Sequence, residues 1–234
     1  MSAAGQPFAP AVRAPLWLLV LVTLSGTMAM HIFMPALPLA GADLGASPSG
    51  MQQTITLYVL GLAFGQLIYG PISDTIGRRP TLLAGLGLYF AASVFALFAT
   101  SLEWLLAARL VQALGGAAGI TLGRSIVRDI STPERATKDL ALLNLLTLVG
   151  PGLSPIVGSF LADSFGWRAV YVFLVSIASV MVLCAWKLLP ETNLNRASLA
   201  FGTIAKDYAR LVSNRRFVGF AVGGACSSTA LYPY

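Results

Sequence analysis

The chain is 234 residues long, 56% hydrophobic and only 10% charged, with a mean hydropathy of +0.78. An average soluble domain carries roughly 25% charged residues, so this composition excludes an ordinary soluble domain. The net charge of +6 does not indicate nucleic acid as a partner, because the positives fall at the ends of apolar runs, where they report membrane topology.

A hydrocarbon core about 30 Å thick takes about 20 helical residues at 1.5 Å each. Apolar runs of that length lie at about 15–38, 50–70, 81–100, 104–125, 139–162 and 169–189, and a further run begins near 217. They are continuous rather than alternating, which disfavours a β-barrel. The first run continues apolar from Ala14 to about Ala40, too long for the core of a signal peptide. The lipid bilayer is therefore the first partner.

With the N-terminus inside, Arg13, Arg78, Arg79, Arg124, Arg128, Arg135, Lys138, Lys187, Arg196, Lys206, Arg210, Arg215 and Arg216 all fall on the cytoplasmic side. Only Arg168 falls outside, and Arg109 lies within a span. This asymmetry sets the orientation. It divides the chain into a tail (1–14), a six-helix bundle (15–190), a cytoplasmic linker (191–216) and the start of another span (217–234). The last run stops at Tyr234 without a polar flank, so the chain reads as a piece of a longer product. The connections after the first, third and fifth runs are short and read as outer loops. Cys184 and Cys226 sit in apolar runs at no metal or disulfide spacing.

The first run carries His31, the only histidine of the chain. It lies about 10 Å below the outer end of its helix at Pro38. Met30, Phe33 and Met34 surround it in sequence. The second run offers Tyr58 and Phe64 as aromatic lining for an apolar cavity, and it ends in GPISDTIGRRP, from Gly70 to Pro80. Glycines and Pro71 permit a tight reversal there, and Arg78 and Arg79 hold the loop inside. Asp74 is positioned to cap the amides of the following helix or to pair with an arginine. Asp129 is the expected partner of the arginines.

The fourth run contains Arg109, with Gln112 one turn on and on the same face. A guanidinium stays charged in proteins and must find acceptors, so Arg109 is a candidate for substrate binding or gating, or for a structural tie. Gly115, Gly116, Gly119 and Gly123 follow at the small-residue spacing of close helix packing. The fifth run has Asn144 as a polar candidate. Its Pro151, Pro155 and Gly158 are placed to kink a helix and free its carbonyls, as a hinge or as packing. Asp163-Ser-Phe-Gly166-Trp-Arg168 repeats the Asp, Gly and Arg of Asp74-Thr-Ile-Gly77-Arg-Arg79, each 89 positions on. Three spans separate the copies, so the second is inverted, as in 3+3 repeats of secondary transporters.

Together these motifs resemble the major facilitator superfamily. Gly70, Asp74, Gly77, Arg78 and Arg79 match its G-x-x-x-D-(R/K)-x-G-R-(R/K) signature, with Thr75 where a basic residue is usual. RLVQALGGAAG resembles the fourth-helix R-x-x-Q-G pattern, with Ala113 for its glycine, and SPIVGS resembles a reduced form of the fifth-helix antiporter motif. FMPALP, RSIVRD, GWRAVY and LPET are similar to the bicyclomycin/chloramphenicol-resistance branch of drug:proton antiporters. The resemblance implies an all-α polytopic membrane protein. Its chain would supply the six-helix N-terminal bundle of a major facilitator fold plus part of helix seven. It also implies alternating-access efflux of a small drug-like compound across a bacterial-type inner membrane, with a proton gradient as energy source and no cofactor.

A metabolite exporter such as one for an amino acid, and a half-transporter inactive without the missing C-terminal half, are the alternatives. A membrane enzyme would need clustered catalytic groups, which the sequence does not offer. The branch usually has a carboxylate where His31 stands. His31 is therefore the proton-coupling candidate of this half, or else a polar contact between helices.

Overall fold

A computed structural model of the chain describes residues 14–193, together with residues 210, 213, 214, 216, 218–220, 222 and 223. The elements are α1 (Leu16–Phe33), a 3-10 turn (Met34–Ala36), α2 (Leu37–Leu44), α3 (Pro48–Ile76), α4 (Arg78–Leu97), α5 (Leu102–Ile130), α6 (Pro133–Phe165) and α7 (Arg168–Leu188). The first span, Leu16–Leu44, is built from α1, the turn and α2, so six spans among the described residues are long and apolar enough to cross a membrane.

The stretch from Gly41, expected to begin the first outer loop, is helical as far as Leu44. Pro35 and Pro38 sit in the first turns of the 3-10 helix and of α2, where a missing N–H costs little. Gly45, in the left-handed conformation at φ 61°, ends the helix. Ser47 then caps α3 by accepting from the Gly50 N–H at 3.2 Å, and Ser101 caps α5 through the Trp104 N–H at 3.2 Å.

The 3+3 repeat is visible in backbone geometry. The first three spans run 29, 29 and 20 residues; the next three run 29, 32 and 21. Gly77 (φ 119°) and Gly166 (φ 84°) end the second helix of each triplet. Their N–H groups bond to the carbonyls of Ser73 and Ala162, again 89 positions apart. Contacts obey the same exchange: α5 packs on α3 and α4, while α1 packs on α6 and α7. A Cβ at Gly61 of α3 would meet Ala113 of α5; one at Gly150 of α6, 89 positions on, would meet Leu24 of α1, 89 positions before Ala113.

Lipid tails are as apolar as the side chains, so helix association depends on close packing rather than on hydrophobic burial. At the centre, α1 crosses α5 on Gly26, Gly116, Gly119 and Gly123. Gly119 faces the Val22 carbonyl, Gly123 the Thr23 hydroxyl, and Gly115 the backbone of α4 at Tyr89. Helices α3 and α6 are the least buried. Leu60, Phe64, Leu145, Leu148 and Ile156 all lie exposed on them. Phe64 therefore lies on the outside of the bundle, apart from buried Tyr58.

Two compact units divide after Arg196, six residues beyond the expected bundle boundary, because residues 191–193 are bonded to the bundle. The described part of the second unit has Asn214 accepting from the N–H groups of Arg216 and Val218, with residues 218–220 helical. The rest of the expected linker, Cys226 and the tail before Ala14 lie outside the described residues.

Candidate functional site

The bundle interior is built around Arg109, whose side chain is fully buried. Nη1 donates to the Ala29 carbonyl (3.0 Å) and to Gln112 Oε1 (2.8 Å). Gln112 Nε2 donates to Ser93 Oγ at 2.8 Å, and that hydroxyl donates to the Tyr89 carbonyl at 2.7 Å. The chain of bonds ties α5 to α1 on one side and to α4 on the other. The guanidinium lies 4.1 Å from the Tyr58 ring centroid and 5.1 Å from that of Phe33. These π faces attract a cation most when desolvated. Tyr58 is fixed by donating to the Gly26 carbonyl at 2.8 Å, and Phe33 rests on Tyr171 of α7 at 5.2 Å. Arg109 Nε and Nη2 and the Tyr171 hydroxyl are buried without hydrogen-bond partners among the described residues. No described carboxylate pairs with Arg109, so the charge is balanced only by dipoles and rings.

The candidates separate by position. Arg109, Gln112, Phe33 and Tyr58 come together in the sealed interior, and His31 is buried on α1 two residues from the Ala29 carbonyl. His31 Nδ1 lies 2.8 Å from the Thr27 carbonyl. A carbonyl only accepts, so Nδ1 carries the hydrogen. Met30 and Met34 are half-buried, and Asn144 is exposed on α6. Pro151 and Pro155 lie within α6, so the Thr147 and Pro151 carbonyls lose their helical partners. Gly150 and Gly158 flank that pair and press on α1 at Leu24 and Ile32. Gly158 thus meets the backbone next to His31.

The second cluster sits where α3 turns into α4. Arg78 reaches Asp74 Oδ1 at 2.6 Å and Asp129 Oδ2 at 3.0 Å, and it donates to Ser73 Oγ. Arg79 Nη2 donates to the Trp186 carbonyl of α7 at 2.7 Å. Asp74, expected to be able to cap the amides of α4, instead pairs with Arg78, because Glu191 occupies those amides. Its carboxylate accepts from the N–H groups of Arg78 (2.8 Å) and Arg79 (3.3 Å), and from Thr192 and Asn193 at 3.0 Å each. Thr192 and Asn193 add bonds to Asp129 and to the Ser73 and Asp74 carbonyls. A Cβ at Gly77 would collide with the Glu191 carboxylate, and the backbone there has positive φ. Both facts require glycine. Gly70 faces open space.

Glu191 entered the sequence reading only as part of LPET and without a role, although an acid just past the sixth apolar run was a usable signal. A carboxylate at a helix N-terminus is worth about 0.5–2 kcal/mol, whereas an exposed ion pair such as Asp74–Arg78 is worth about 0–1. Glu191→Ala is expected to lower the thermal unfolding midpoint of the detergent-purified chain more than Asp74→Asn does. An equal or smaller shift would contradict the capping role.

At the opposite end, Asp43 of α2 accepts from Arg168 (2.6 Å) and from the Trp167 indole (3.1 Å). Arg168 also donates to the Ala99 carbonyl at 3.0 Å. The echoed arginine thus clasps α2 and the end of α4, while Asp163 only accepts from Ser159. Nothing in the sequence paired Asp43 with Arg168.

Comparison with known proteins agrees with this architecture. The chain is 34% identical over 178 residues to multidrug resistance protein D of Escherichia coli, covering 76% of this chain and 45% of that protein. It is 32% identical over 199 residues to a chloramphenicol resistance protein of Pseudomonas aeruginosa, covering 85% and 48%. The crystal structure of the human organic anion transporter MFSD10 superposes with a TM-score of 0.62 at 23% identity, over 84% of this chain and 53% of that one. The chain thus spans about half the length of the curated relatives it matches. The family model of the Major Facilitator Superfamily matches residues 19–234, and with six candidate spans among the described residues in an inverted 3+3 arrangement the chain belongs to that superfamily as a multi-pass membrane protein related to drug-resistance proteins.

Proposed function

We propose that the chain is the N-terminal half of a proton-coupled exporter of small, largely apolar compounds, working by alternating access. The exposed apolar faces of α3 and α6 suit cover by the second half of such a transporter. The excess of positives at the Gly77 end supports a cytoplasmic side for that end. The Asp74–Arg78–Asp129 network with Glu191 then acts as a cytoplasmic latch, released when the halves rock. Pro151 and Pro155 lend α6 the compliance that rocking needs. Met30, Met34 and Asn144 are the candidates of this half for contact with substrate.

One observation carries the coupling: His31 is the only histidine, it is buried, and no described carboxylate lies near the middle of a span. Histidine is the side chain suited to proton exchange near neutral pH, and its place on α1, two residues from the carbonyl that Arg109 of α5 holds, ties it to the crossing of those two helices. The test is export of chloramphenicol by the full-length protein in energised membrane vesicles. Wild-type export should stop when a protonophore collapses the gradient. His31→Gln should lose gradient-driven accumulation while still equilibrating the compound. Unaltered uphill export by His31→Gln would refute the coupling role, and no export by the wild type would refute the function.

A further inference from the structure

The charge of the interior narrows the substrate. All eight described acids lie at or near helix ends: Asp43, Asp74, Glu103, Asp129, Glu134, Asp139, Asp163 and Glu191. None approaches the middle of a span. The single fixed charge in the described interior is positive, on Arg109, whose Nε and Nη2 make no hydrogen bond to a described residue. At the Gly77 end, Arg124 and Arg128 of α5 and Arg135 and Lys138 of α6 are exposed. None of these four forms an ion pair with a described residue. Arg124 lies six residues before the end of α5, about 9 Å into the helix, deeper than topology alone asks.

We infer that the site admits small organic anions, an apolar body bearing a carboxylate-like group, in preference to organic cations. This inference rests on the export reading. Arg109 is sealed from contact, so it acts through its field. A single charge held within about 10 Å at an effective dielectric near 20 alters affinity roughly tenfold. The four exposed cations act earlier, by raising the local concentration of anions at the entrance, an effect that falls with ionic strength. Among the described residues of this half, the interior supplies no opposite charge to receive a cation, whose desolvation would go uncompensated there.

The experiment uses the full-length protein in inside-out vesicles with an imposed proton gradient and three probes: fluorescein as anion, chloramphenicol as neutral compound and tetraphenylphosphonium as cation. Fluorescein should be transported with kcat/KM at least about tenfold above tetraphenylphosphonium. The double variant Arg124→Gln/Arg128→Gln should raise the KM for fluorescein several-fold at low salt. That difference should vanish near 0.5 M salt, with chloramphenicol unaffected throughout. Transport of tetraphenylphosphonium at or above the fluorescein rate would overturn the inference, as would transport of chloramphenicol without fluorescein. Correctly inserted protein that moves none of the three would overturn the export reading itself, and the inference with it.

Discussion

Gly119→Ala is expected to destabilise the bundle by about 1–3 kcal/mol, the range for overpacking a close contact. The added methyl would meet the Val22 carbonyl, a backbone group that cannot rotate aside. To relieve the clash α1 must back away from α5, which also loosens the neighbouring contacts at Gly116 and Gly123. Gly87→Ala is the control, because a Cβ there meets nothing within 4 Å, and in a helix the change from glycine stabilises by up to about 1 kcal/mol. Thermal unfolding of the detergent-purified chain should therefore shift in opposite directions for the two variants. If both shift alike, the crossing is not as close as described.

Arg109→Met should separate stability from function. Its removal strands Gln112 Oε1, at a cost of about 1–3 kcal/mol for a buried acceptor without a donor. It also removes a buried cation that no described carboxylate balances, and replacing buried charges by apolar side chains of similar volume is often neutral or stabilising. The two terms are of similar size, so the unfolding midpoint should move little. Export by the full-length protein should fall at least about 100-fold, because the buried charge and the Ala29–Arg109–Gln112–Ser93 tie are lost together. Arg109→Lys, which keeps the charge but not the geometry of the fork, should retain more export than Arg109→Met. Equal activity of Arg109→Met and wild type would show the network to be a structural tie alone.

Much of this was legible in order of residues. The six spans followed from apolar run lengths, because a bilayer imposes one length on every crossing helix. The inverted repeat was signalled by only three matching residues, yet Gly77 and Gly166 occupy equivalent positive-φ turns. Glycine was required by the backbone, so the match persisted where side chains had diverged. The Arg109–Gln112 bond was legible too, since residues three apart on a helix are neighbours by construction.

What escaped was long in sequence separation. Glu191 meets Arg78 across 113 residues, Arg168 meets Asp43 across 125, and Arg109 meets Ala29 across 80. Hydropathy cannot register such pairs, because it reports what each helix needs from lipid and nothing about which helix lies beside it. The sequence by itself determined the membrane setting, the number of spans and the residues able to carry charge. Only the tertiary structure decided that Glu191 rather than Asp74 caps α4, that Phe64 faces outward, and that Arg109 is sealed among aromatic rings. Those outcomes depend on the close crossings of α1 with α5 and of α3 with α5, where absent side chains, not present ones, set how near the helices come.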